Sequence, residues 1–75
     1  MQQYEGVKRD TGVIAYRIGD DHIAVQFRDG SLYLYTYLSA GKNAVDEMKM
    51  LAVKGVGLTT YINQHVKDKY ETMVK

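Results

Sequence analysis

Apolar and polar residues alternate with a period of two through much of the first half of the chain. The alternation covers residues 13–18 and 22–28 and predicts two half-buried strands, joined by a turn at Gly19-Asp20-Asp21. A third alternating segment, Tyr33-Leu34-Tyr35-Thr36-Tyr37, follows Asp29-Gly30 and predicts a strand with three phenol rings on one face. The inner positions expected in the first two strands are Ile14, Tyr16, Ile18, Ile23, Val25 and Phe27.

The turn at Asp29-Gly30 leaves the register of the third strand open. A two-residue turn directs the leucines of that strand toward the core and its tyrosines outward. A three-residue turn that includes Arg28 pairs Phe27 with Ser31 and directs the tyrosines inward. Outward rings would form a stacking surface for nucleic-acid bases, whereas inward rings belong mostly to the core.

After Leu38 the apolar period lengthens to about 3.6 residues, which predicts two helices. Asn43 is the expected N-cap of the first helix, and Gly55 is its expected left-handed C-terminal residue. Gly57 opens the segment that leads into the second helix. The expected inner faces are Ala44, Val45, Met48, Leu51 and Ala52 in the first helix, and Leu58, Tyr61, Ile62, His65, Val66 and Tyr70 in the second.

These elements predict an α+β fold in which a three-stranded antiparallel meander is followed by two helices packed on one face of the sheet. Residues 13–70 form the expected single domain. Residues 1–12 hold few large apolar side chains and are expected to be a mobile arm or a short edge strand, and residues 71–75 a C-terminal tail.

Composition narrows the class of protein. The 75 residues suit one small domain, and the absence of cysteine excludes disulfides and thiolate metal sites, which favours a reducing, cytoplasmic location. The N-terminus has no apolar signal region, and no apolar run is long enough to predict a membrane span. Ten Lys and Arg against nine Asp and Glu give no general basic excess, so a nucleic-acid site would need locally clustered charge.

Several residues resemble the KTSC domain, which is named after the C-terminus of some lysyl-tRNA synthetases. They are Phe27, Gly30, Tyr33 and Tyr35, followed by Tyr61-Ile62-Asn63-Gln64-His65-Val66-Lys67-Asp68-Lys69-Tyr70. The match extends over about residues 13–70. Because the position between the two tyrosines is often polar in that family, the resemblance implies inward tyrosines and the three-residue turn.

The chain departs from the family pattern at three positions. Leu34 replaces a usually polar residue, Ser39 stands where a proline commonly begins the helix, and Gly57 lies farther before Tyr61 than the family glycine. The resemblance implies RNA binding because of the synthetase context, which is an argument by analogy.

The residues indicate no catalytic, metal or cofactor site. His65 and Asp68 have a spacing that suits two ligands of one metal, but nothing completes the set, and a packed, hydrogen-bonded His65 is the simpler interpretation. Ser31 and Ser39 have no histidine grouped with them, so no nucleophile is predicted. We therefore expect a non-enzymatic binding module.

The first functional hypothesis is binding of RNA or another nucleic acid. Basic and amide side chains of the helices would contact the backbone, with an aromatic edge beside them. The candidate residues are Lys54, Asn63, Lys67, Lys69 and Tyr37, with Arg28 flanking the hairpin. The competing interpretation is an ordinary solvated face, because Asp68 and Glu71 interleave with the lysines.

The second hypothesis is a protein-interaction module, a homodimer or a small accessory or inhibitory protein. It depends on apolar residues that fall outside the predicted inner faces. These residues are Leu32, Leu34, Met50 and Val53. Single exposed hydrophobic residues are common, so they become meaningful only as part of a continuous patch.

Overall fold

The structure is a computed structural model and describes residues 2–4 and 12–74 of the chain. Its strands are β1 (Gln2–Gln3), β2 (Val13–Ile18), β3 (His22–Phe27), β4 (Leu32–Thr36) and β5 (Thr72–Val74). Its helices are α1 (Tyr37–Ala40), α2 (Lys42–Lys54) and α3 (Leu58–Tyr61), and α3 continues directly into a π-helical segment, Ile62–Val66, called the π segment below. The described residues form an α+β fold with one antiparallel sheet, in which strands adjacent in sequence pair in the order β1-β2-β3-β4-β5.

The predicted meander is present, and the sheet has two further edge strands. β5 pairs with β4. The C-terminal tail expected from the sequence would have left this edge of β4 unpaired. The Glu71 N–H donates to the Leu34 carbonyl, 2.6 Å away, and the Thr36 hydroxyl donates to the Glu71 carboxylate at 2.8 Å. Local sequence did not predict β5, because three residues after a turn carry too short a pattern.

The N-terminal arm contributes the other edge strand. β1 pairs with β2, and Tyr4 is buried with its ring edge-on to Tyr16 at a centroid distance of 6.4 Å. The expectation that this arm buries little therefore does not hold at Tyr4. Residues 5–11, which were also assigned to the arm, lie outside the described residues.

Strand β2 departs from simple alternation through a β-bulge. Val13 pairs with Phe27 while Ala15 pairs with Gln26, so Ile14 is an extra residue in β2. The insertion changes the phase of the strand. Val13 and Tyr16 are buried, whereas Ile14 is exposed, contrary to the expected inner position.

The β3–β4 hairpin has the three-residue turn. The Phe27 N–H donates to the Ser31 carbonyl, and the Phe27 carbonyl accepts from the Gly30 N–H. Gly30 has a φ of 90°, which favours glycine. Val25 pairs with Tyr33 and Ile23 pairs with Tyr35, so the two tyrosines share the inner face. The register implied by the resemblance is confirmed, and Tyr33 and Tyr35 form no stacking platform on the open face.

The first predicted helix is split in two. Thr36 caps α1 through a capping box with Ser39, so the third strand ends before Tyr37. Gly41 then precedes α2, and Asn43, expected as the N-cap, lies exposed inside α2. The left-handed C-terminal residue Gly55 is confirmed, with a φ of 77°.

The second predicted helix ends earlier than expected, and its second half is the π segment, which has a wider turn than an α-helix. Leu58, Ile62 and Val66 are buried at intervals of four residues. The wider turn of the π segment keeps the third of these side chains over the sheet, while His65 becomes exposed and lies against the Tyr61 ring at 4.6 Å. The prediction of an inward His65 was wrong.

The core lies between the inner face of the sheet and the helices. The predicted inner face of α2 is confirmed at its centre, where Val45, Met48 and Ala52 are buried against β3 and β4. The buried apolar residues of the described chain are Tyr4, Val13, Tyr16, Ile23, Val25, Tyr35, Val45, Met48, Ala52, Leu58, Ile62 and Val66.

Candidate ligand-binding pocket

A pocket of about 330 Å³ opens between the β3–β4 hairpin and the π segment. This volume lies at the lower end of the range of small-molecule sites, roughly 300–1,000 Å³. The β3–β4 hairpin and the π segment each contribute residues to its lining. The pocket is lined by Gly12, Phe27, Arg28, Asp29, Ser31, Tyr33, Tyr35, Ile62, Asn63 and Lys67.

Aromatic rings form one wall of this pocket. Phe27 is edge-on to Tyr33 at 5.2 Å, and Tyr33 is nearly parallel to Tyr35 at 6.3 Å. Tyr70, which follows the π segment, is edge-on to Tyr33 at 5.0 Å. The cluster is held by the hairpin register, because the three-residue turn places β4 with its phenols on the inner face. The wall offers an apolar aromatic surface that a planar ring can contact.

Polar groups from the opposite side face that wall. The π segment contributes Asn63, and Lys67 follows four residues later on the same side of the pocket. Both side chains are exposed, and neither makes a hydrogen bond or ion pair within the described residues. A π-helical turn is uncommon and is often found at functional sites, and here it carries the amide of the pocket.

The hairpin tip contributes a second cation and a fixed carboxylate. Arg28 lines the pocket from the turn. The Asp29 carboxylate accepts hydrogen bonds from the backbone N–H of Ser31 at 2.9 Å and from its hydroxyl at 2.6 Å. These bonds hold the turn in shape, so the carboxylate is occupied in the hairpin itself. The charged side chains that line the pocket are therefore two cations, Arg28 and Lys67, and one carboxylate, Asp29.

Tyr35 occupies the deepest position among the aromatic residues, with 1% of its surface exposed. Burial, with smaller contributions from Tyr33, Tyr70 and Asp68, raises the pKa of its hydroxyl well above the ordinary value. The phenol therefore stays protonated at neutral pH and remains able to donate a hydrogen bond.

The structure places two of the five predicted nucleic-acid residues, Asn63 and Lys67, at this pocket. Lys54 is exposed at the end of α2, and Lys69 lies beyond the π segment with its N–H bonded to the Val66 carbonyl. Neither lines the pocket. Tyr37 directly follows β4, at the end of that strand that lies away from the hairpin.

Tyr37 is engaged in a separate network at that opposite end. Its hydroxyl donates to the Asp46 carboxylate at 2.7 Å, and the ammonium groups of Lys42 and Lys49 lie 5.6 and 5.1 Å from its ring centroid. Hydrogen bonds from Lys42 and Tyr37 lower the pKa of the Asp46 carboxyl. This arrangement connects α1 to α2 and leaves the Tyr37 ring flanked by cations of the same chain.

The four apolar residues predicted for protein interaction lie on two different surfaces. Leu32 and Leu34 lie half-buried on the outer face of the sheet, where they pair with Gln26 and Ala24. Met50 and Val53 are 51% and 70% exposed on the outer side of α2, which packs on the other face of the sheet. The four residues therefore do not form one patch.

Within the described residues, no group of three or more His, Cys, Asp or Glu side chains converges to hold a metal ion. Asp21 and His22 form a side-chain contact of 3.1 Å in the turn between β2 and β3, and the hydrogen bond from His22 lowers the pKa of Asp21. His65 and Asp68 are both exposed. None of the helices in the described part of the chain is long and apolar enough to cross a membrane.

Compared with known proteins, the chain matches no family model, no curated protein and no solved structure. The resemblance to the KTSC domain therefore rests on the residues named in the sequence and stays a prediction.

Sequence reasoning did not assemble the pocket as a site. Tyr33 and Tyr35 were treated as core or as an open platform, and Arg28 as a flanking cation. The signal that connects them is the hairpin register, because the same turn that directs the phenols inward brings Arg28 to the mouth of the pocket. Asn63 and Lys67 join them only through tertiary packing of the π segment.

Proposed function

We propose that the protein is a small binding module for single-stranded nucleic acid, with RNA favoured, and that it holds one unstacked nucleotide in the pocket between the hairpin and the π segment. The observation that carries this proposal is the composition of that single pocket. An aromatic wall faces an amide and two cationic side chains. The resemblance to the KTSC domain points to the same class of ligand.

Each chemical part of a nucleotide has a counterpart in the pocket. A base is planar and apolar on its faces, so the wall around Tyr33 offers contact area that any base can use. The Asn63 amide carries both donors and an acceptor, which suits the hydrogen-bonding edge of an unpaired base. Arg28 and Lys67 provide positive charge for the two phosphates that flank the bound base in a strand.

The charge distribution favours contact with one nucleotide rather than with a long stretch of nucleic-acid backbone. The whole chain has a formal net charge of +1, so general attraction to a nucleic-acid backbone is weak. Two phosphate contacts on a single strand predict a slope of log K against log salt of about −1.4. Affinity should accordingly fall about sevenfold between 50 and 200 mM salt.

The test is a titration of fluorescein-labelled single-stranded RNA and DNA with the full chain, followed by fluorescence anisotropy at these two salt concentrations. Lys67→Gln is expected to weaken binding and to reduce the salt slope to about −0.7, because one ion contact is lost. Asn63→Ala is expected to weaken binding without changing the slope, because the amide carries no charge.

Lys54→Gln is the matched control for Lys67→Gln. It removes the same charge from an exposed helical lysine that does not line the pocket, so both affinity and slope should stay close to those of the unaltered chain. Absence of binding at 50 mM salt, or an equal loss in the two lysine variants, would contradict the proposal.

A second candidate function is supported by the outer face of the sheet. Leu32 and Leu34 lie there beside Ala24 and Val74, and no helix among the described residues packs on this face. Such a row suits a protein partner. Leu34→Glu should abolish capture of a stoichiometric, nuclease-insensitive partner while the thermal unfolding midpoint changes little; unchanged capture would exclude this surface.

A further inference from the structure

We propose that the Tyr35 hydroxyl is the specificity-determining group of the pocket: it donates a hydrogen bond to an acceptor atom on the edge of the bound base. The inference rests on the proposed function for the position of the ligand. It goes further because it names the protein atom that selects the ligand. The selected class is an aromatic heterocycle with a ring-nitrogen or carbonyl acceptor.

The first argument is that the Tyr35 hydroxyl has no hydrogen-bond partner among the described residues. Tyr35 is 1% exposed, yet its hydroxyl makes no hydrogen bond within the described residues. Every fully enclosed side-chain nitrogen or oxygen of the described residues does have a partner. The Tyr35 hydroxyl is therefore not fully enclosed, and Tyr35 is one of the residues that line the pocket.

The second argument is a comparison with another buried tyrosine of the same core. The Tyr4 hydroxyl accepts a hydrogen bond from the Leu58 backbone N–H at 3.2 Å. Buried tyrosines ordinarily have such a partner, because an unpaired hydroxyl away from water costs about 1–3 kcal/mol. Phenylalanine at position 35 would fill the same space without this cost. The hydroxyl gains its interaction when a ligand supplies the acceptor.

The third argument concerns the state of that hydroxyl. Its surroundings are the phenols of Tyr33 and Tyr70 and the carboxylate of Asp68, all of which disfavour a negative charge on Tyr35. The group consequently acts as a neutral O–H donor. Asn63 also lines the pocket and carries both donor and acceptor atoms, so Tyr35 adds a hydroxyl at a second position.

A donor with this geometry discriminates between ligands. A base that presents an acceptor to this hydroxyl gains a hydrogen bond in a water-poor site, whereas a base that presents a C–H there gains none. Affinity for the four common bases should therefore differ, although stacking on the aromatic wall is nearly independent of base identity.

The experiment measures the affinity of AMP, GMP, CMP and UMP for the full chain by isothermal titration calorimetry. Tyr35→Phe is expected to weaken the tightest of the four about tenfold and to bring the four affinities closer together. Tyr16→Phe is the matched control, because Tyr16 is a buried tyrosine of the neighbouring strands that does not line the pocket. Its affinities should equal those of the unaltered chain.

A second measurement uses only the unaltered chain. Analogues of the tightest monophosphate, each with one ring-nitrogen or carbonyl acceptor replaced by C–H, are titrated in turn. One analogue is expected to lose about tenfold in affinity, and that loss should disappear in Tyr35→Phe. This coupling separates a hydrogen bond to the ligand from a structural effect of the variant.

The outcomes separate the two proposals. Monophosphates that bind with this dependence on Tyr35, together with RNA that does not bind, would support the inference and overturn the proposed function. RNA binding with equal affinities for Tyr35→Phe and the unaltered chain would support the function and overturn the inference. Failure of every monophosphate to bind at millimolar concentration would also overturn the inference.

Discussion

The Tyr4 hydroxyl accepts a hydrogen bond from the backbone N–H of Leu58, with 3.2 Å between the two heavy atoms. Leu58 is the first residue of α3, so this N–H has no carbonyl partner within the helix. Tyr4, which directly follows β1, therefore supplies an acceptor for the first N–H of a helix that begins 54 residues later. The contact holds α3 and the π segment over the sheet, where the pocket lies.

Tyr4→Phe should lower the free energy of unfolding by about 1–2 kcal/mol, because the hydrogen bond between the Leu58 N–H and the Tyr4 hydroxyl is lost. Urea denaturation followed by circular dichroism measures the change. Tyr16→Phe serves as the control, since the Tyr16 hydroxyl makes no hydrogen bond within the described residues, and a change below about 0.5 kcal/mol is expected there. Equal losses in the two variants would contradict this role of Tyr4.

Gly30→Ala should destabilise the hairpin by about 1 kcal/mol. Space is available for the added methyl group, since no atom outside Gly30 and its two chain neighbours lies within 4 Å of the position that a Cβ would take. The cost arises from the φ of 90°, which side-chain-bearing residues rarely adopt. Gly30→Asn is the matched variant, because asparagine tolerates positive φ better, so its loss should be smaller. An alanine variant as stable as the unaltered chain would argue against the three-residue turn.

Tyr35 should make the fold sensitive to alkali. Burial raises the pKa of its hydroxyl above the value of 10.0 expected in the unfolded chain. Above about pH 10 the unfolded state loses this proton while the folded state keeps it, so stability falls as pH rises, by at most about 1.4 kcal/mol per pH unit. Below the unfolded pKa the stabilising contribution is fully present.

Tyr35→Phe isolates this contribution from that of Tyr61, whose pKa burial also raises. Urea denaturation at about pH 9 and about pH 11 should show a shallower loss of stability in the variant than in the unaltered chain. At neutral pH the variant should be at least as stable as the unaltered chain, because the hydroxyl makes no hydrogen bond within the described residues that the variant could lose. Identical alkaline slopes would mean that Tyr35 ionises in the folded state as easily as in the unfolded chain.

Much of the fold could be predicted from the period of the sequence. The three central strands, the inner face of α2 and the glycines that end α2 and begin α3 follow from patterns that are local. The register of β4 could not be derived from the turn residues alone, since both turns accept Asp-Gly, and the resemblance supplied it.

The errors have identifiable physical causes. The bulge at Ile14 inserts one residue and changes the phase of β2, which a strict period of two cannot anticipate. The π segment turns His65 outward, although the same residues fit an α-helical pattern. Thr36 and Ser39 cap an additional short helix and displace Asn43 from the cap.

The pocket was the least predictable feature. Phe27 and Asn63 are separated by more than thirty residues, and their meeting depends on how the helical segment packs across the sheet. Charge patterning identified Asn63 and Lys67, but it equally selected Lys54 and Lys69, which the fold places outside the pocket. Local sequence gives residue types for a site, whereas tertiary packing decides which of them converge.

The most direct test of the pocket as the ligand site is an NMR titration of the ¹⁵N-labelled chain with a short single-stranded RNA. Its largest amide shifts should fall on Arg28, Tyr33, Tyr35, Asn63 and Lys67, with little change at Leu38 or Val53, which are exposed away from the pocket. Shifts confined to Leu32 and Leu34 on the outer sheet face, or no shifts at millimolar RNA, would contradict it.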